Sequence, residues 1–258
     1  MPYAPIHGGQ LHYTIEGKAG QPVLILSNSL GTSFDMWAPQ MADFTASFQV
    51  LRYDTRGHGQ SSVTPGPYSI ALLARDVIDL MAHVGVKQAH FCGLSMGGIT
   101  GMHLAIHHPE RLHKLVLANT AAYIGPPENW ITRIAAVEAN GIAPLAQAVV
   151  SRWLTPDYAA HHPETVTALE GMLRATPAAG YAAACAAVRD SDLREQVCLI
   201  ALPTLVIAGS GDLPTPPADG AFLQREIAGS GYVEFVAAHL SNQEQAKAFS
   251  AAVIEFLA

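Results

Sequence analysis

The residue of this sequence best placed to act as a nucleophile is a serine between two glycines. The pentapeptide GLSMG at 93–97 follows an apolar run at 89–92 and precedes an apolar helical pattern at 99–106. In a G-x-S-x-G segment between a strand and a helix, the chain turns sharply at the serine, and the glycines carry no side chains that clash there. The serine hydroxyl is then exposed above the sheet, where it can attack a carbonyl carbon. The pattern predicts Ser95 as a nucleophile, and a glycine-rich turn without chemistry is the alternative.

A catalytic serine needs a base, and the distribution of histidines narrows the choice. Of the twelve histidines, eleven lie at or before His162, and His239 lies alone in the final third of the chain. In hydrolases whose serine lies on such a sharp strand-to-helix turn, the nucleophile elbow, the acid and then the base follow the serine along the chain. His239 is therefore the predicted base, with a solvated loop histidine as the alternative. Ser241 and Glu244, just beyond it, have the spacing of a capping box at the start of the last helix.

The acid that orients the base must lie between the serine and the histidine. Asp212 follows a strand pattern at 204–208 through a Gly-Ser-Gly turn, from which a carboxylate can reach a histidine beyond the neighbouring strand end. Asp219 and Glu226 fall in a predicted helix, and Glu234 falls within a predicted strand. Asp212 is therefore the predicted acid, and an ordinary turn aspartate is the alternative.

Stabilisation of a tetrahedral oxyanion requires two backbone N–H groups. One is predicted at Met96, directly after the nucleophile. The other is predicted in the loop at 27–31, which follows a strand pattern at 23–26, and we favour the N–H of Leu30. An ordinary turn is the alternative for this loop.

Metal and nucleotide chemistry find no support in the sequence. His103 and His107 are four positions apart on one predicted helix, but Leu104 stands where an H-E-x-x-H motif has its glutamate. The three cysteines are odd in number and form no C-x-x-C pair, so they argue against a disulfide framework and a zinc site and are predicted to be buried. No glycine-rich nucleotide motif follows a strand. We therefore expect neither a metal nor an organic cofactor.

The elements around these residues predict an α/β fold. A helix is predicted at 70–84, with Ser69 as N-cap and Gly85 at its end. Alternation of nearly continuous apolar strands with helices indicates a mainly parallel sheet with helices on both faces. Strand patterns lie at 11–15, 23–26, 48–53, 89–92, 115–117, 204–208 and 232–236.

The alternation stops between 124 and 190, where helical patterns lie at 128–140, 142–154, 163–175 and 178–188. This insertion follows the carboxyl end of a strand, the side on which open α/β sheets bind ligands. We therefore predict a core formed by 1–123 and 191–258, and a helical lid formed by 124–190.

Composition excludes several classes of partner. Hydrophobic residues make up 50% and charged residues 14% of the 258 positions, which indicates a folded chain rather than a disordered one. With 14 Lys and Arg against 21 Asp and Glu, the formal charge of −7 has the wrong sign for a nucleic-acid surface. The first ten residues contain no signal or transit pattern, so a cytoplasmic protein is expected, with no membrane association and no obligate protein partner evident.

The sequence resembles the α/β-hydrolase superfamily, and within it the 3-oxoadipate enol-lactonases of bacterial aromatic catabolism. The resemblance spans nearly the whole chain, and the serine elbow marks only the superfamily, whereas the 26–31 loop is more specific. It implies an α/β-hydrolase fold, a triad of Ser95, Asp212 and His239, and opening of a carboxylate-bearing enol-lactone in the β-ketoadipate pathway without a cofactor. The resemblance rests on these segments: LSNSLG (26–31), LRYDTRGHG (51–59), GPYS (66–69), GLSMGG (93–98), NTAA (119–122), CAAVRD (185–190) and AAHLSN (237–242).

The implied substrate has a free carboxylate, which needs a cation in this acidic protein. Arg133 is the first candidate, because it lies three positions after Trp130 on one predicted helical face, beside an apolar wall. A solvated arginine is the alternative, and Arg56 is predicted to brace its loop against Asp54 or to take the carboxylate instead. Trp153 is predicted as a lid aromatic, with a plain core position as the alternative.

Two other functions fit the same residues. One is a different serine hydrolase, such as a carboxylesterase or a carbon–carbon bond hydrolase. The other is a ligand-binding receptor on the same fold, which the complete triad disfavours.

Overall fold

The computed structural model describes residues 2–258, and in this part of the chain eight strands form one sheet. Their spatial order is β1-β2-β4-β3-β5-β6-β7-β8. The first two strands pair antiparallel, as do β2 and β4, while all other neighbours pair parallel. The strands are β1 (Tyr3–Ile6), β2 (Gly9–Glu16), β3 (Val23–Ser27), β4 (Gln49–Tyr53), β5 (Ala89–Leu94), β6 (Leu112–Ala118), β7 (Thr204–Gly209) and β8 (Gly231–Phe235).

The register aligns the carboxyl ends of the central strands at one edge of the sheet. Ser27 pairs with Gly93, Leu94 with Ala118, and Gly209 with Phe235. Every residue of β5 and β7 is buried, in keeping with the continuous apolar runs of strands covered on both faces. The residues that follow β3, β5, β6, β7 and β8 therefore begin side by side.

Helices connect and cover the strands, as the alternation of patterns predicts. The helix predicted at 70–84 is confirmed: the Ser69 hydroxyl accepts the Leu72 N–H at 3.2 Å, and Gly85 has a φ of +74°. The helices are α1 (Met41–Ser47), α2 (Ile70–His83), α3 (Met96–His107), α4 (Pro127–Asn140), α5 (Ala146–Val150), α6 (Pro156–His161), α7 (Pro163–Ala175), α8 (Ala178–Arg189), α9 (Pro217–Glu226), α10 (Ser241–Glu244) and α11 (Ala246–Leu257). Short 3₁₀ turns include Phe34–Gln40 and Ala143–Leu145.

Segment 124–190 is helical, with α4 and α8 packed on each other. A β-bridge between Tyr123 and Asp192 joins the two ends of the segment, so the chain leaves the core and returns at one place. The pattern at 142–154 predicts one helix, but the structure has a 3₁₀ turn at Ala143–Leu145, then α5, and turns at 151–154.

The N-terminal strand β1 was not predicted, since four residues with alternating burial carry a weak pattern. No helix among residues 2–258 has the length and apolar character needed to cross a bilayer.

Candidate active site

Ser95 lies on a sharp turn between β5 and α3. Its backbone has φ 56° and ψ −116°, a conformation that is strained for a residue with a side chain. Two close approaches explain the flanking glycines: a Cβ on Gly93 would lie 2.2 Å from the Gly97 carbonyl oxygen, and one on Gly97 would lie 2.2 Å from that of Ser27. The turn is held by the Ser95 N–H, which donates to the Ala118 carbonyl at 3.0 Å. The sequence thus forms the elbow through backbone contacts that only glycine permits.

His239 and Asp212 lie after neighbouring strands and bind each other. Nδ1 of His239 is 3.0 Å from each carboxylate oxygen of Asp212, and both residues are buried. Because Nδ1 faces the carboxylate, Nε2 is the ring nitrogen left to exchange a proton with a nucleophile. His239 and Ser95 both form the wall of one cavity, so the structure brings the three predicted triad residues together.

Two further residues hold the acid, and the sequence analysis did not identify either. Asn119, after β6, donates from Nδ2 to Asp212 Oδ2 at 3.0 Å and to the Ala238 carbonyl at 3.1 Å. Thr215 donates its N–H to Asp212 Oδ1 at 2.9 Å and its hydroxyl to Oδ2 at 2.8 Å. In the sequence, Asn119 is marked only by the NTAA segment at 119–122, one of the segments on which the family resemblance rests.

These donors determine the charge state of the acid. Burial alone would raise the pKa of Asp212, but His239 together with the hydrogen bonds from Thr215 and Asn119 outweighs burial and holds that pKa below its usual value. The carboxylate is therefore ionised at neutral pH and can stabilise an imidazolium.

The loop after β3 leaves an amide free where the sequence predicts one. Ser29 N–H donates to Met36 Sδ at 3.3 Å, and Gly31 N–H donates to His58 Nε2 at 3.0 Å. Within residues 2–258, neither the Leu30 N–H nor the Met96 N–H has an acceptor. Gly97 N–H donates to the Asn28 carbonyl at 3.1 Å and so ties this loop to the elbow.

The cavity has a volume of about 560 Å³ and is formed jointly by the core and segment 124–190. Ser95, His239 and Leu30 contribute the core side. Segment 124–190 contributes Trp130, Arg133 and Trp153, the three residues predicted for substrate binding, together with Tyr181 and the unpredicted Arg152.

Arg133 lies over Trp130, with its guanidinium carbon 4.9 Å from the ring centroid. It also faces Tyr181, where burial raises the pKa of the phenol and Arg133 acts in the opposite direction. Neither Arg133 nor Arg152 forms an ion pair with any carboxylate of residues 2–258. Two arginines without acidic partners thus line the cavity: Arg133 is partly buried, and Arg152, which the sequence analysis did not identify, is exposed.

Two predictions about nearby residues were wrong. Arg56 is buried and pairs with Asp76, at 2.8 Å from Nε to Oδ2, rather than with Asp54, so it is unavailable to a substrate carboxylate. Ser241 and Glu244 form no capping box, because the Ser241 hydroxyl donates to Asn119 Oδ1. Glu244 instead accepts the Ala238 N–H at 2.7 Å.

The cysteines are free, but Cys198 is exposed whereas Cys92 and Cys185 are buried. Across residues 2–258 no group of three or more His, Cys, Asp or Glu side chains is arranged to hold a metal ion.

Comparison with known proteins gives consistent matches. A family profile for the alpha/beta hydrolase fold matches residues 22–245. The chain is 47% identical to 3-oxoadipate enol-lactonase 2 of Acinetobacter baylyi, over 94% of this chain and 91% of that protein. It is 40% identical to 3-oxoadipate enol-lactonase 1 of the same organism, over the same shares of the two chains. The crystal structure of the enol-lactonase from Burkholderia xenovorans LB400 superposes with a TM-score of 0.98 at 46% identity, covering 99% of both chains.

Proposed function

The chain belongs to the α/β-hydrolase family and is a hydrolase, and we propose that it opens 3-oxoadipate enol-lactone to 3-oxoadipate through a serine acyl-enzyme. One observation carries this proposal. A cavity whose wall holds Ser95 and a carboxylate-bound His239 also holds two arginines without acidic partners. The first pair suits attack on an acyl carbon, and the second suits a substrate that keeps a free carboxylate.

Acylation begins when Ser95 Oγ attacks the lactone carbonyl and His239 Nε2 accepts its proton. The Asp212 carboxylate, 3.0 Å from Nδ1, stabilises the imidazolium that forms. The N–H groups of Leu30 and Met96 bind the tetrahedral oxyanion. When the bond between the acyl carbon and the ring oxygen breaks, His239 returns the proton to that oxygen, which leaves as an enol still attached to the acyl chain.

Deacylation repeats the proton transfers with water. His239 removes a proton from a water molecule as its oxygen attacks the ester carbon, and then returns the proton to Ser95 Oγ. The enol becomes a ketone, and the released product carries two carboxylates. Lactone plus water gives 3-oxoadipate, so no redox or cofactor step is required for the balance.

The substrate carboxylate has two candidate partners. We propose Arg133 first, because its guanidinium is already oriented by Trp130. Arg152 is the second candidate, because the substrate carboxylate should lie near His239.

The carboxymethyl arm is carried by the ring carbon bonded to the leaving oxygen, and His239 protonates that oxygen. The Trp153 carbonyl accepts the Leu240 N–H at 2.9 Å, so Arg152 precedes a residue bound next to His239.

We further propose that 124–190 acts as a lid on a core formed by 1–123 and 191–258. This segment supplies Trp130, Arg133 and Trp153 to a cavity whose catalytic groups come from the core. Because its two ends meet at the Tyr123 and Asp192 bridge, it can vary in position without changing the paths of β6 and β7.

The proposal is tested by measuring turnover of the enol-lactone from the decrease in its ultraviolet absorbance. Simple aryl esters are measured in parallel as comparison substrates. Wild-type protein should prefer the lactone, and Ser95→Ala should lower kcat by roughly 10⁶-fold, as loss of a triad serine does. Ser47→Ala, the same substitution at an exposed serine outside the cavity, is the matched control.

A fluorophosphonate probe separates an enzyme from a receptor, since only an activated serine reacts quickly. Preference for aryl esters over the lactone would refute the substrate assignment and leave the serine-hydrolase assignment standing. Ser95→Ala protein that keeps a tenth of the wild-type activity would refute both.

A further inference from the structure

The Leu30 N–H lies in a loop without regular secondary structure. Hydrogen bonds nevertheless hold both the peptide plane that contains this N–H and the following one, between Leu30 and Gly31. The Ser29 carbonyl, which shares a peptide plane with the Leu30 N–H, accepts the Thr32 hydroxyl at 2.7 Å and the Thr32 N–H at 3.3 Å. This peptide is trans, and in a trans peptide the C=O and N–H point in opposite directions. Fixing the Ser29 carbonyl toward Thr32 therefore fixes the direction of the Leu30 N–H.

The next peptide plane is held by His58. The Gly31 N–H donates to Nε2 of His58 at 3.0 Å, and Nδ1 of the same ring is 3.2 Å from the Arg56 carbonyl oxygen. A carbonyl only accepts, so the partners assign the proton to Nδ1 and leave Nε2 as the acceptor. His58 is fully buried, and burial lowers its pKa, which favours the neutral ring that this arrangement needs.

The Gly31 position also explains why the loop needs outside support. Gly31 has a φ of +81°, and a Cβ there would lie 2.6 Å from a methyl of Leu173 and 3.0 Å from the Tyr181 ring. A glycine that admits many backbone conformations does not hold its neighbour in one orientation. The buried hydrogen bonds from Thr32 and to His58 supply that restraint.

We propose that Thr32 and His58 are positioning residues for the oxyanion hole, which aim the Leu30 N–H by fixing the two consecutive peptide planes around it. The inference rests on the proposed serine-hydrolase function and adds two residues that do not line the cavity. A donor aimed at the developing oxyanion acts in the transition state more than in the bound substrate. Loss of either residue should therefore lower kcat and leave KM nearly unchanged.

Two pairs of substitutions test this inference. Thr32→Val removes the hydroxyl at nearly constant volume, whereas Thr32→Ser keeps it. His58→Gln places Oε1 the same number of bonds from Cα as Nε2 and so keeps an acceptor for Gly31, whereas His58→Asn does not reach that far. We expect Thr32→Val and His58→Asn to lower kcat about 10- to 100-fold, below the roughly 10²- to 10³-fold loss for removal of a whole oxyanion donor. Thr32→Ser and His58→Gln should recover most of that loss.

A second readout isolates the oxyanion. An aryl trifluoromethyl ketone forms a tetrahedral hemiketal with an active serine, so its affinity should fall by the same factor as kcat in the two impaired variants. Wild-type kcat in both impaired variants would overturn the inference, as would equal losses in each member of a pair or losses that appear in KM. If His58→Asn does not fold, the two Thr32 variants decide. Ser95→Ala is measured beside them: residual activity there refutes the serine mechanism, while an inactive Ser95→Ala together with wild-type kcat in both impaired variants refutes only this inference.

Discussion

Replacing Asp212 with asparagine changes one carboxylate oxygen to an NH₂ group in a site that contains only donors to that carboxylate. Oδ1 accepts the Thr215 N–H at 2.9 Å, and Oδ2 accepts Asn119 Nδ2 at 3.0 Å. Both oxygens are 3.0 Å from His239 Nδ1. In either orientation the new NH₂ therefore faces a donor that the carboxylate had satisfied.

This mismatch acts on the base through its tautomer. The NH₂ is satisfied when His239 Nδ1 loses its proton and accepts, which places the ring proton on Nε2 and removes the group that activates Ser95. The variant also lacks the negative charge that stabilises the imidazolium. We expect kcat to fall by about 10⁴-fold, as the same change does in serine protease triads.

The fold should tolerate the change at a measurable cost. One buried donor left without an acceptor costs about 1–3 kcal/mol, so the free energy of unfolding should fall by about that amount. The variant should remain folded at room temperature, because ordinary domains have about 5–15 kcal/mol of stability. The kinetic effect can then be assigned to the site rather than to unfolding.

The assay compares kcat and KM for the enol-lactone and an aryl ester, with urea unfolding in parallel. Asp219→Asn is the matched control, because Asp219 lies close enough to Asp212 for the two charges to interact, yet makes no contact with His239. It removes one negative charge near the site and should leave kcat close to the wild-type value. Asp212→Asn protein with more than a tenth of the wild-type kcat would refute the reasoning. An equal loss in Asp219→Asn would show that kcat depends on the total negative charge near the site and not on the contact with His239.

Other measurements test the remaining features of the site and core. Arg133→Ala should lower kcat/KM for the lactone about 10- to 150-fold and leave kcat/KM for an uncharged ester unchanged, because a charge-assisted contact contributes roughly 1.5–3 kcal/mol. If Arg152→Ala shows this selectivity and Arg133→Ala does not, Arg152 binds the carboxylate. EDTA should leave activity unchanged, and inactivation that added metal reverses would contradict this. Asp76→Asn should lower the free energy of unfolding by about 3–5 kcal/mol, because it leaves the buried Arg56 charge unpaired; a change below ~1 kcal/mol in urea titration would show that the pair contributes little. Since the folded pKa of Asp212 is lowered, its stabilisation is present above the unfolded pKa of ~3.9 and is lost as pH falls through the folded pKa. The stability difference between wild type and Asp212→Asn should therefore shrink below about pH 4, and a constant difference would contradict the linkage.

Local patterns in the sequence were sufficient for most elements and for the order of the candidate triad. The helix α2 begins at a serine N-cap and ends before a glycine, and both signals act within one turn of the helix. The pattern that predicts the turn at Ser95 is contained in five consecutive residues, although only the Gly93 contact lies within the turn and the Gly97 contact is with Ser27 of β3. His239 could be selected because it is the one histidine in the final third of the chain.

The contacts that complete the site were decided only by the tertiary structure. Asn119 and Asp212 are 93 positions apart, and Arg56 binds Asp76 rather than the nearer Asp54. Such pairs leave no periodic signal, because the partner of a polar side chain depends on which strand ends become neighbours and how the loops between them run. Whether Arg152 lies beside a cavity likewise depends on how the helices of 124–190 pack on the core, which the sequence of each helix does not specify. The sequence therefore determined which groups could react, and the fold determined which groups hold them in place.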